Sequence, residues 1–175
     1  VTEPLECVDT ASEVINAFIV AMREAFDPES VCPPDGGGST DVRFFAGDAA
    51  PAAAWDAHAD GAGCSQPFLW VRVVQRYRSK EFPAPMVVTD CDLPRVMEVE
   101  VGVARCAVTD EQPTWEQYTD EANVSLDDSW RIEKALCRVR GLLNKNDYRV
   151  GAGSITPYGP EGGLIAWSGV AFVQF

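Results

Sequence analysis

The residues able to do chemistry are few and scattered. Six cysteines, Cys7, Cys32, Cys64, Cys91, Cys106 and Cys137, supply the thiols, and His58 is the only imidazole. Paired zinc knuckles need cysteines roughly two to four residues apart, and every spacing here is far longer, so metal binding is a poor fit. Asp56, His58 and Asp60 alternate in an irregular segment, which makes a weak ligand set, and His58 reads as a solvent-exposed side chain. A Ser-His or Cys-His nucleophile would rest wholly on that one histidine. No Gly-x-Ser-x-Gly elbow is present, since Gly151-Ala152-Gly153-Ser154 lacks the closing glycine and lies in a strand pattern. Gly36-Gly37-Gly38 lacks the Gly-Lys-Ser/Thr end of a phosphate loop, and the nearest lysine is Lys80. The expectation is a protein that is not an enzyme and carries no metal or cofactor.

Acids are the remaining candidates. The net charge of −13 comes from 27 acids against 14 bases and is uneven. No base lies between Arg105 and Arg131, whereas Asp110, Glu111, Glu116, Asp120, Glu121, Asp127 and Asp128 do. That stretch repels nucleic acid. It reads first as a solvated surface and, functionally, as a set of channel or subunit-interface acids.

The elements that position these residues follow from apolar periodicity. Phe68 to Arg78 and Arg95 to Arg105 alternate with period 2: Leu69, Val71 and Val73 share one face of the first run, and Met97, Val99, Val101 and Val103 one face of the second. An antiparallel pairing whose partner numbers sum to 170 sets Arg72 opposite Glu98 as a cross-strand ion pair. The same register puts Cys64 and Cys106 opposite each other just past the strand ends, which makes them the candidate disulfide.

A helix is expected from Ala11 to Phe26, with Thr10 and Glu13 at capping-box spacing and Val14, Phe18, Met22 and Phe26 on one stripe. Val42-Arg43-Phe44-Phe45 reads as a short edge strand. Two further helices are expected, one opened by Pro113-Thr114 and running to about Asn123, the other capped by Asp127-Asp128 and running from Ser129 to about Lys145. Tyr148 to Thr156 and Leu164 to Phe175 read as strands of a closing hairpin turned at Gly162-Gly163. The result is an α+β domain: a mostly antiparallel sheet of four to five strands, packed by an N-terminal helix and a second long helix, with long loops over 28–67 and 79–94. At 175 residues and 46% apolar composition, a single domain burying roughly 70% of its unfolded surface accounts for the whole length. The acidic N-terminus has no apolar core, so cytoplasmic synthesis with reduced thiols is expected. No apolar run approaches the roughly 20 residues of a membrane span.

The order of elements carries a resemblance, together with Phe44-Phe45-Ala46-Gly47, Ala54-Trp55-Asp56, Leu69-Trp70-Val71-Arg72-Val73-Val74, Glu98-Val99-Glu100-Val101-Gly102-Val103-Ala104-Arg105-Cys106 and Gly162-Gly163-Leu164-Ile165-Ala166-Trp167. The chain resembles the neck proteins of long-tailed bacteriophages, tail terminators most of all. Three lysines against eleven arginines suit a GC-rich genome. The resemblance implies a virion protein assembled in the host cytoplasm, a hexameric ring of this chain that caps the tail tube and joins it to the head-side connector or stopper. DNA would pass through without specific binding, and no catalytic residue carries over. The acids of the 110–128 segment, or of the loop from Gly47 to Asp60, would then face the channel or a subunit joint. A head-closure or tail-tube protein is the nearest alternative. From a different class, a disulfide-stabilised secreted binding domain accounts for six cysteines and the acidity.

Overall fold

A computed structural model describes residues 9–50, 52–87, 89, 91–144 and 148–175, so Cys7 and Lys145 lie outside the described residues. The elements are α1 (Ala11–Ala25), β1 (Val42–Phe45), α2 (Ala52–Ala62), β2 (Phe68–Arg78), β3 (Arg95–Cys106), α3 (Trp115–Leu143), β4 (Arg149–Glu161) and β5 (Leu164–Gln174), with a 3-10 turn at Gly63–Ser65. The five strands form one sheet in the order β1-β2-β3-β5-β4. β1 runs parallel to β2, and every other neighbour is antiparallel. The fold is α+β.

One face of the sheet carries the main core. Leu69, Val71, Val99, Val101 and Val173 are buried against Val14, Phe18 and Met22 of α1 and Ile132, Leu136 and Val139 of α3. Each such side chain contributes about 1.5–3 kcal/mol through the apolar surface it takes from water. Gly169 lets α3 approach closely, because a Cβ there would stand 2.8 Å from Ile132 Cγ2. β5 is an interior strand, and this packs the apolar C-terminus, with Val173 buried and Phe175 partly so: Phe175 N donates to Arg95 O at 3.0 Å, and the Phe175 ring packs on Tyr148 with centroids 5.9 Å apart. The hairpin turns on Gly162 and Gly163, with φ of 59° and 75°, a left-handed pair that side chains resist.

Four expectations are corrected. The register of β2 and β3 is offset by two residues: Arg72 lies opposite Glu100, not Glu98, and Gln75 takes the place opposite Glu98 after a bulge at Val74. A shift of two leaves every side chain on its own face, so alternation alone does not fix it. The two expected helices are one, Trp115–Leu143, opened by a full capping box between Thr114 and Gln117. At the start of α1, Thr10 makes no cap; the Asp9 carboxylate accepts from Ala11 N at 3.0 Å, and Thr10 Oγ1 accepts from Arg95. The first long loop contains α2, whose helical character rests on alanine rather than on an apolar stripe.

Candidate functional site

The second face of the sheet is covered only at one end. Phe68 and Trp70 of β2 are buried there with Ala104 and Ala166, and Phe45, Trp55 and Leu164 pack against them. Trp70 lies flat across Gly102: a Cβ on that glycine would fall 2.0 Å from Trp70 Cζ2. From this position the indole Nε1 donates to Glu100 Oε1 at 2.9 Å, and Arg72 donates to both oxygens of the same carboxylate at 2.8 and 2.9 Å. This fork satisfies a half-buried charge pair at the centre of the sheet. Beyond it α2 forms one wall of a groove of about 470 Å³, lined by Trp55, Phe68, Trp70, Tyr158 and Ser168 with Arg72 and Glu100 at its base.

Cys64 and Cys106 are joined by a disulfide with Cα atoms 5.4 Å apart, which ties the turn after α2 to the end of β3. Cys32, Cys91 and Cys137 are free and exposed. His58, expected in solvent, instead sits partly buried between Trp55 and Phe68, with ring centroids 6.1 and 5.4 Å away, and its Nε2 lies 3.0 Å from Gln66 O. The aromatic neighbours at Trp55 and Phe68 were the available signal for a packed histidine. Among the described residues, no three or more His, Cys, Asp and Glu side chains are grouped to hold a metal.

Asp110, Asp120, Glu121 and Asp128 line one open cavity of about 490 Å³ between α3 and the end of β3, with Arg105, Gln117 and Trp167. Asp110 accepts from Gln117 Nε2, and Glu121 accepts from Val108 N at 2.5 Å, which holds the β3–α3 connection to the helix. Glu111 and Glu116 stand exposed at the same end.

Asp127 and Asp128 depart from the expected surface role. Asp128 is only 3% exposed, and Arg105 donates to both its oxygens at 2.6 and 2.8 Å. Burial pushes its carboxyl up, against the pull of the Arg105 guanidinium. Arg105 also donates to Gly36 O and Gly37 O, so one buried cation anchors β3, α3 and the glycine loop. Asp127 faces Arg131 at 2.6 Å, and Arg131 reaches Ala25 O, Cys32 O and Pro33 O, closing the loop after α1. Sequence reasoning missed both arginines as loop anchors, because the carbonyls they bind lie in segments remote in the chain.

The two ends of the strands differ in charge. The end formed by the close of β3, the start of α3 and the hairpin tip presents Asp110, Glu111, Glu116, Asp120 and Glu161. The opposite end, where β2 finishes and β3 and β4 begin, is mixed: Arg76, Arg78, Lys80, Arg95 and Arg149 stand with Glu81, Asp92, Glu98 and Asp9, and Asp9 pairs with Arg76 and Arg95. No protein-family model matches the chain, and no curated protein matches it. No described helix is long and apolar enough to cross a membrane.

Proposed function

We propose that the chain is a structural subunit of a long-tailed phage neck, a tail terminator whose copies form a ring that caps the tail tube and meets the head-side connector. The observation that supports this most is that the two ends of the sheet are unlike, one acidic and the other of mixed charge. A ring is built from heterologous joints, in which one surface of a subunit meets a different surface of the next, and unlike ends are what such joints require. The acidic end has a second use in a ring. Facing the lumen, Asp110, Glu116 and Asp120 would keep DNA from adhering as it passes.

The β4–β5 hairpin supports the same reading. Its outer strand is an edge with exposed residues from Gly153 to Glu161, except Ile155, and Tyr158 stands at the groove beside α2. An unpaired edge is available to a neighbouring subunit or to the tube. The disulfide favours a second reading, a secreted binding domain, because such bonds form in oxidising compartments. In a virion made in the host cytoplasm the thiols would meet oxidant only after release.

Negative-stain imaging of the purified protein, alone and mixed with tail tubes, separates these readings. Discrete rings or caps at tube ends are expected. Long self-assembled cylinders would move the assignment to a tube protein, and a monomer that ignores tubes would favour the secreted domain.

A further inference from the structure

α2 lies on the second face of the sheet as a strap rather than as part of a core. No described side chain of α2 is buried, whereas α1 and α3 each bury a full stripe. Ala54 and Trp55 pack against the buried cluster of Phe68, Trp70, Ala104 and Ala166, and the His58 ring stands 5.4 Å from Phe68. Around the helix there is open space: a Cβ at Gly47, ahead of it, or at Gly61 or Gly63, at its end, would meet nothing within 4 Å. Segments with few buried apolar contacts open at low cost while the rest of a fold stays closed.

A covalent bond fixes the end of this strap. Cys64 lies just past α2 and is exposed, and its partner Cys106, half-buried, ends β3 in the middle of the sheet. A thiolate in solution therefore reaches the Cys64 sulfur first. Its attack forms a mixed disulfide and releases the Cys106 thiolate, which takes a proton; a second thiolate then displaces Cys64 in the same way. One protein disulfide and two thiols become two cysteine thiols and one small-molecule disulfide, and the reverse exchange restores the bond. We propose that the Cys64–Cys106 bond is a redox latch on α2. Reduction by a low-molecular-weight thiol frees the strap to leave the sheet, uncovering Phe68 and removing one wall of the groove beside Trp70, and exchange with the corresponding disulfide closes it again. A chain newly made among reduced thiols would carry the strap open. The latch works within one chain, so it goes beyond the ring reading and does not rest on it.

Hydrogen exchange of the full chain, oxidised and with dithiothreitol, tests the latch. In the reduced chain the Ala52–Ala62 amides should exchange faster by on the order of tenfold, at a rate that low urea leaves unchanged, while the β3 and α3 amides keep the steep urea dependence of global unfolding. Anilinonaphthalene sulfonate should fluoresce more strongly with the reduced chain, as the aromatic cluster becomes accessible, and re-oxidation with glutathione disulfide should reverse both changes. The double variant Cys64→Ser, Cys106→Ser should behave as the reduced chain does and ignore dithiothreitol. Reduced-chain α2 amides that stay as slow as in the oxidised chain, or that follow the urea dependence of β3, would overturn the proposal, as would a response of the double variant to the reductant.

Discussion

Arg105 on β3 grips Asp128 in the middle of α3 through both carboxylate oxygens, at 2.6 and 2.8 Å, with both side chains buried. The pair couples the helix to the sheet, and each member is costly without the other. Removing one partner leaves an uncompensated buried charge, worth about 3–5 kcal/mol. Arg105→Met and Asp128→Leu should each lower unfolding free energy by about that amount in urea titrations. The double variant should recover part of the loss, with the remainder set by Gly36 O and Gly37 O, which lose their donor.

Cys64→Ser should destabilise the protein by about 2–4 kcal/mol, because the bond closes a loop of sequence separation 42 in the unfolded chain. The loss should concentrate at α2, whose contact with the sheet runs through Trp55 and Phe68. Hydrogen exchange of the Ala52–Ala62 amides should accelerate in the variant, and a reductant should reproduce the effect in the wild type. Unchanged exchange would show that the aromatic cluster alone holds α2.

Gly102→Ala should cost about 1–3 kcal/mol by overpacking, since the new methyl occupies the place of the Trp70 ring. Displacing the indole also removes its hydrogen bond to Glu100. A shift in tryptophan fluorescence that accompanies the loss of stability and vanishes in a Trp70→Phe background would locate the change at Trp70, one of five tryptophans.

Acid should act on the two exposed ion pairs in one sense and on Asp128 in the other. The Arg76 hydrogen bond holds the Asp9 carboxyl below its ordinary 3.8, and the Arg138 hydrogen bond holds Glu24 below its ordinary 4.5. Their stabilisation is complete above those ordinary values and is lost as pH falls through the depressed ones. Asp128 is raised by burial, so its contribution is greatest below 3.8 and declines as pH rises through its raised value. Asp9→Asn with Glu24→Gln should therefore flatten the fall in urea midpoint below about pH 4, by a small amount because both groups are largely solvated.

Much of the scaffold was legible in apolar periodicity. Val14, Phe18, Met22 and Phe26 stand on one stripe and are fully buried, and the alternation of β2 and β3 names the residues that face the helices. What escaped depends on contacts between distant segments. Asp127-Asp128 and Ser129 look like a helix start because such side chains compete for backbone hydrogen bonds, yet here Arg131 and Arg105 take both carboxylates and leave the helix unbroken. The β2–β3 register turns on Trp70 crossing Gly102, and a glycine inside a strand was the one available sign of it. The acids of the candidate site were visible as a base-free run, but the burial of Asp128 and the pairing of Asp127 depend on where Arg105 and Arg131 come to rest.

The most direct test of the ring is a cryo-electron microscopy reconstruction of the protein bound to the ends of tail tubes. A closed ring of six copies with Asp110, Glu116 and Asp120 on the channel wall or at the joint between subunits is the predicted result. Bare tube ends, or a ring that carries those acids on its outer wall, would contradict it.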